Sequence, residues 1–391
     1  MLHTRMSLDP ATTGQAIARQ PVVVVGAGPA GLASAACLKQ GGIDVLVLEA
    51  GAAVGSSWRQ HYDRLHLHTV KQQSHLPGMR FDKKLPRYVA RADMVAYLEA
   101  YAARFGIEPR LGEPVRRVGV GTAADGGGLT VESARGTYPA RAVVVAAGYN
   151  RVPNPERLPE QERFHGALIH SAAYRNADGY AGRRVLVVGA GNTGAEIALD
   201  LAEHGAHTTL ALRSPVNVVP RDFLGMPTQV TSIRVRKLPL RLADAVGRLV
   251  SRVAFGNLAR HGFARPDMGP LSAIKLRRRI PLIDVGTIAA VKRGAIAVKP
   301  AVARFTEAGA VFADGSAGEF DDAVLATGFR PALEDFLAIS GLLDDEGYPR
   351  DWRAGDACPN LYFVGYANVS TGLLREIAIQ ARAVAAAIAG G

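Results

Sequence analysis

Cysteine is nearly absent: Cys37 and Cys358 are the only two in 391 residues, with no CxxC pair and no metal-ligand spacing. This excludes a disulfide framework, leads us to expect no bound metal, and fits a reducing cytoplasm. Long apolar runs are missing too. No stretch of about 18 uncharged apolar residues occurs, and the apolar C-terminal segment 372–389 carries Arg375, Glu376 and Arg382. Residues 1–20 lack the apolar core of a signal peptide and read as a flexible lead-in. Acidic side chains are outnumbered, 35 Asp and Glu against 46 Lys and Arg, for a net charge of +11 that suits any anionic partner. Aromatic residues, however, make up only 6% of the chain, and the densest basic cluster, KLRRR at 275–279, is followed by the apolar IPLIDVG. Nucleic-acid binding, which needs interleaved aromatics and cations, is disfavoured. At this length, with 48% apolar residues, we expect a soluble, cytoplasmic chain of two domains.

Glycine is where the information lies. Residues 21–49 read as an apolar strand, a turn with Gly26, Gly28 and Gly31 in G-x-G-x-x-G spacing, a small-residue helix that includes Ala30, and a second strand ending at Glu49. Such glycines let a backbone close on a pyrophosphate whose charge meets a helix N-terminus, and an acid at the second strand's end accepts hydrogen bonds from a ribose. The pattern recurs at 184–213, with Gly189, Gly191 and Gly194, then Asn192 and Thr193 at the helix start, and Arg213-Ser214 where the first unit has Glu49. An acid repels the 2′-phosphate of NADPH, whereas a guanidinium pairs with it. The second unit is therefore expected to bind NADPH, with Asn192 and Thr193 at its pyrophosphate, and the first, by the order of sites in flavoproteins with two dinucleotide folds, to bind FAD.

The predicted fold is α/β: two Rossmann-like dinucleotide-binding domains, the NADPH domain inserted into the FAD domain. The boundaries expected are 21–150 and 320–391 for the discontinuous FAD domain and 151–319 for the NADPH domain. The turns AAG at 146–148 and ATG at 326–328, with Gly328, mark the two crossings. The segment 215–270 shows no sheet pattern and reads as a helical lid or substrate wall; a homodimer contact or a membrane-facing surface are its other readings.

Two dinucleotides permit disulfide reduction, reduction of a small acceptor, or oxygen activation. The first needs a cysteine pair after the acid-ended strand, and GAAVGSSWRQHYD at 51–63 has none. Ahead of the second cradle, FHGALIHSAAY supplies Phe164, Gly166, His170 and Tyr174 in F-x-G-x-x-x-H-x-x-x-Y spacing. This resembles the fingerprint of class B flavin-dependent monooxygenases, in its flavin-containing monooxygenase form. The segments HYDRLHLHTVKQQSHLPGMRF, RDFLGMP and RPDMGPL with IPLIDVGTIAAVKRGAIAVKP further resemble the YUCCA-type enzymes, across roughly 22–329. Departures fall at Val70-Lys71, Ser74 and the basic run 275–279, on what is expected to be the substrate side.

The resemblance implies FAD, NADPH, O2 and a small-molecule substrate, with oxygen carried as a C4a-peroxyflavin. Unprotonated, that species attacks the keto carbon of a 2-oxo acid such as indole-3-pyruvate, giving indole-3-acetate and carbon dioxide; protonated, it oxygenates soft nitrogen or sulfur. His68 falls where the resemblance puts an amide side chain facing flavin and nicotinamide, with Lys71 three positions on, so both are catalytic candidates. Trp58 and Arg59, after the loop 51–55, are placed along the flavin. His170 and Tyr174 are expected to order the hinge, and Glu196 has no assigned role. Asn368, Ser370 and Thr371 would cap the last helix or approach the flavin. A non-enzymatic NADPH sensor that signals through 215–270 is the reading from another class.

Overall fold

A computed structural model describes residues 19–121 and 128–390; the lead-in expected at 1–20 falls, as far as residue 18, outside the described residues. Each glycine-rich unit opens on a strand buried on both faces. Val22–Val25 is 0–5% exposed along its length, and each Val taken fully out of water contributes about 1.5–3 kcal/mol. It lies centrally in a four-stranded parallel sheet of order Val45–Leu48, Val22–Val25, Ala142–Val145, Leu361–Phe363. The helix Pro29–Gln40 that follows the first turn has a buried face of small residues, and the last helix, Leu373–Ala389, packs against it.

The second sheet repeats the plan with five parallel strands: Ile296–Pro300, His207–Leu212, Arg184–Val188, Asp322–Leu325, Ala167–His170. Each sheet has a three-stranded antiparallel companion, at Val115–Val120, Leu129–Ser133 and Thr137–Ala140 in the first unit, and at 302–319 in the second. Parallel strands this buried need helices on their faces, as here.

The domain boundary at 320 needs correction. Asp322–Leu325 pairs with Arg184–Val188 and Ala167–His170, so it belongs to the second sheet, as Ala142–Val145 belongs to the first. The two turns after these strands have matching tasks: Ala146 packs against Gly26 and Ala326 against Gly189. The chain leaves and re-enters through a short antiparallel ribbon, Val152–Pro153 with Phe329–Arg330, which places the return just beyond the ATG turn. Beyond it, Leu333, Phe336, Leu337 and Leu342 pack into the core of the first unit, the strand Leu361–Phe363 joins the first sheet, and the last helix packs on Pro29–Gln40.

Within 215–270 the helices Thr228–Val235 and Leu240–Phe255 form, followed by Pro270–Arg277. They are fixed to the first unit by Gln229, which is buried. Its carbonyl accepts from the Val70 N–H at 2.9 Å and its amide donates to the Thr371 carbonyl at 2.7 Å.

Candidate functional site

The two cradles are superimposable in their logic. Gly26, at φ 105, and Gly189, at φ 110, sit in left-handed backbone, and a Cβ on either would press on the carbonyl of Ala146 or Ala326. A Cβ on Gly31 or Gly194 would overlap the carbonyl oxygen of Gly26 or Gly189. The middle glycines differ: around Gly28 and Gly191 a Cβ would meet nothing within 4 Å. Both are helix N-caps, and no side chain caps the first-turn N–H groups of either helix. Room beside uncapped N–H groups is what a pyrophosphate needs. The residues therefore fit dinucleotides on an observation of the fold itself.

Glu49 accepts from the Ala27 N–H at 2.6 Å and the Gly51 N–H at 2.8 Å, which fixes its carboxylate at the mouth of the first cradle. Ala30 is buried in the first helical turn and Gly365 packs closely on it. Trp58 is half-buried against the first core, edge-on to His61. Arg59 turns elsewhere: its guanidinium pairs with Glu99 and donates to the Val54 carbonyl at 3.1 Å. These bonds brace the loop that follows Glu49 and leave the arginine a positioning group for that loop.

The second cradle opens into a cleft of about 870 Å³ lined by Gly189, Gly191, Arg213, Ser214, Thr327 and Gly328. Arg213 has a side chain 68% exposed and is paired with Glu156, an exposed pair of little strength that a doubly charged phosphate can displace. Arg277, Arg278 and Arg279 line the same cleft. The basic run 275–279 thus borders the dinucleotide cleft, a correction to its expected place on the substrate side. Composition had shown the cluster, but only the approach of the Pro270–Arg277 helix to the second cradle says what it faces. Arg278 is engaged with Asp344 and Glu346.

Asn192 also departs from expectation. Its amide carbonyl accepts from the Ile283 N–H at 2.7 Å and its amide nitrogen approaches the Pro281 carbonyl, tying the helix start to 281–283 in place of the expected pyrophosphate contact. Thr193 hydrogen-bonds the buried Tyr62.

Between the cradles lies a second cavity, of about 260 Å³, walled by Val219, Phe223, Val235, Val246, Val250 and Ile274. The helices of 215–270 supply Val235, Val246 and Val250; Val219 and Phe223 come from short strands, Val218–Pro220 and Asp222–Phe223, where no sheet was expected, and Ile274 from Pro270–Arg277. His68, Tyr149, Asn192, Gln229 and Asn368 are the larger polar side chains on its lining, and among the described residues no Lys or Arg lines it. His68 Nε2 pairs with Glu196 Oε1 of the second cradle helix, across the two units, and the Glu196 side chain is only 6% exposed. Tyr62 donates to the same carboxylate; burial first, and the Glu196 charge next, hold its phenol well above the ordinary range. Glu196, the residue without an assigned role, therefore anchors two side chains of the first unit. Its only sequence signal is an acid at a helix position that the apolar pattern would bury.

Lys71 does not join His68. Its ammonium donates to the carbonyls of Asp82, Lys83 and Leu85, at 3.2 and 2.8 Å for the first two, which uses all three donors to fasten the loop 82–85. It is a structural residue, and its place as a catalytic candidate is withdrawn. His170 sits edge-on to Phe329 at 5.1 Å, beside the ribbon of the crossing, while the Tyr174 hydroxyl donates to buried Asp200 at 2.7 Å. Neither lines the cavity. Asn368 donates to the Arg278 carbonyl at 2.5 Å, and Thr371 donates to Glu376 at 2.7 Å; the last helix begins at Gly372 with no side-chain cap.

Comparison with known proteins agrees with this geometry. Residues 23–222 match the family described as pyridine nucleotide-disulphide oxidoreductase. The indole-3-pyruvate monooxygenase YUCCA1 of Oryza sativa subsp. japonica is 38% identical over 88% of this chain and 86% of its own. The chain belongs to the YUCCA-type flavin monooxygenases. Among solved structures, a flavin-containing monooxygenase from Stenotrophomonas maltophilia is 25% identical with a TM-score of 0.71, over 95% of this chain and 98% of that one. A steroid monooxygenase bound to NADP, 19% identical with a TM-score of 0.74 over 94% and 85%, shares the fold. This protein is accordingly a flavin-dependent monooxygenase that uses FAD and NADPH. Its two cysteines are free, so the disulfide chemistry in the matched family's name is not carried by a cysteine pair. Among the described residues no helix is long and apolar enough to cross a membrane.

Proposed function

We propose that the chain oxidatively decarboxylates an aryl 2-oxo acid of the indole-3-pyruvate class. One 2-oxo acid, O2, NADPH and a proton give the shortened acid, carbon dioxide, water and NADP+. The observation that carries this reading is the apolar cavity between the cradles with His68, held by Glu196, on its lining, in a chain close to proteins named for that substrate. The Gly26–Gly31 cradle with Glu49 would hold FAD, with Trp58 along it, and the Gly189–Gly194 cradle with Arg213, Ser214 and Gly328 would hold NADPH. Bound FAD, once reduced by NADPH, supplies the oxygen activation.

The chain's own residues supply the rest. Val219, Phe223, Val246 and Val250 exclude water from the reacting carbon and receive an aryl ring. Glu196 presses one ring nitrogen of His68, so that the imidazole is fixed in orientation and tautomer on the cavity side. A histidine held this way sets whether a proton is available at the reacting oxygen, which separates attack on a keto carbon from oxygenation of a soft atom.

A second reading, N- or S-oxygenation of small amines or sulfides, is favoured by one feature: the cavity has no Lys or Arg to meet a carboxylate. NADPH oxidation in air by the FAD-loaded enzyme, with indole-3-pyruvate or with a thioether, separates the two when product and hydrogen peroxide are both quantified. Indole-3-acetate equal to NADPH consumed supports the first reading. Peroxide alone with the oxo acid, and sulfoxide with the thioether, overturns it in favour of the second.

A further inference from the structure

The helix Leu240–Phe255 has two faces with different occupants. Its inner face, with Ala243, Val246, Gly247 and Val250, lines the cavity. Its outer face carries Leu242, Leu249 and Val253, which are 56%, 61% and 64% exposed. Spacings of seven and four residues stack these three in one stripe. Leu238, 44% exposed, precedes the stripe. Scattered exposed leucines are ordinary, but an aligned apolar stripe on one helix is a contact surface.

Its surroundings decide the partner. Arg234, Arg236, Lys237, Arg241, Arg248 and Arg252 are all exposed, and Arg241, Arg248 and Arg252 follow the stripe along one flank of the helix. Among the described residues none of these six pairs with a carboxylate; Arg234 donates to the Met226 sulfur at 3.4 Å and Arg248 to the Asp267 carbonyl. The segment 223–266 contains one acid, Asp244. It is buried, accepting from the Leu271 and Ser272 N–H groups at 2.8 and 3.1 Å, so it neutralises nothing on the outer face.

We propose that this face is a docking surface for an anionic lipid bilayer. Leucine and valine would enter the headgroup boundary while arginines meet lipid phosphates, and the helix would lie in the plane of the surface without spanning it. A second copy fits poorly, because a two-fold contact sets the same patch against itself and would bring two sets of these six cations together, with Asp267 beside Arg248 the exposed acid next to them in the chain. The proposal does not depend on the substrate reading.

Sedimentation of the FAD-loaded enzyme with vesicles tests it, using phosphatidylcholine alone and phosphatidylcholine mixed with phosphatidylglycerol, each at low and high salt. The expected result is binding to the mixed vesicles at least about tenfold stronger than to the neutral ones, weakened by salt. Leu249→Glu with Val253→Glu should lower that binding about tenfold. Both residues lie outside the cavity lining, so flavin content and thermal midpoint should not change. Arg241→Gln with Arg248→Gln should remove the preference for anionic lipid. Equal binding to both vesicle types overturns the proposal, as does binding that the Glu variant leaves unchanged. So does light scattering that shows a dimer which the Glu variant dissociates.

Discussion

Gly191→Ala and Gly194→Ala sit three residues apart in one turn and should fail in opposite ways. Gly191 has φ −74 and ψ 179, backbone open to any residue, and a Cβ there meets nothing within 4 Å. Alanine should leave the fold intact and change stability by less than about 1 kcal/mol, since its poor fit at a helix N-cap offsets the restricted unfolded chain. The methyl would nevertheless project into the space where a pyrophosphate must come within hydrogen-bonding distance of the helix N–H groups. Displacing it loosens charge-assisted hydrogen bonds worth about 1.5–3 kcal/mol each, so the NADP+ dissociation constant should rise roughly tenfold to a hundredfold. Gly194→Ala drives a methyl into the Gly189 carbonyl oxygen, backbone that cannot turn aside. It should cost about 1–3 kcal/mol of stability or prevent folding. Calorimetric titration with NADP+ beside thermal scans reads both quantities. NADP+ affinity in Gly191→Ala within twofold of the parent, with the fold intact, would refute the pyrophosphate assignment.

Four further outcomes follow from the same geometry. Arg213→Ala should weaken NADPH more than NADH, by roughly tenfold for one charge-assisted pair; an equal effect on both coenzymes in steady-state kinetics would move 2′-phosphate recognition to Arg277 and Arg279. Glu196→Gln leaves Tyr62 and His68 facing a neutral amide in a buried site, so stability in urea should fall by about 2–4 kcal/mol. The fraction of NADPH that reaches product should fall with it; full coupling in this variant would rule out a part for His68 orientation. Gln229→Ala strands the Val70 N–H and the Thr371 carbonyl, at a cost of about 1–3 kcal/mol for each group left without a partner. KM for the organic substrate should rise more than kcat falls, and the converse would show that the wall does not bind substrate. Burial, then the charges of Arg175 and Arg91, lower the His61 pKa from 6.5, and burial does the same at His170. The unfolded chain then binds protons more readily than the folded one, so stability is full above pH 6.5 and falls as pH drops below it. His61→Gln should flatten that decline in thermal midpoint, and an unchanged slope would exclude His61 as a source.

Much of the fold was legible because its signals are local. A four-Val strand, a glycine turn, a small-residue helix and an acid-ended strand follow one another within 30 residues, and each needs only its neighbours in the chain to be recognised. The repeat at 184–213 and the contrast of Glu49 with Arg213 were legible in the same way. The strand Asp322–Leu325 was not, because DAVL and the later LYF are equally apolar tetrads or triads, and sheet membership rests on pairing with strands more than 130 residues away.

The site divides along the same line. Lys71 and Asn192 carry suggestive chemistry at suggestive positions, but Lys71 fastens the carbonyls of 82–85 and Asn192 the backbone at 281–283. Glu196 and Gln229 carry no motif, yet one anchors His68 and Tyr62 and the other bolts the cavity wall to the first unit. The sequence by itself determined two glycine-rich cradles, the acid and the arginine that end their second strands, and the absence of a redox cysteine pair, since backbone conformation and local residue type specify these. Only the tertiary structure decided which polar side chains face the cavity and which face carbonyls. A buried carboxylate or amide takes its role from the partners that satisfy it, and those partners come from distant parts of the chain.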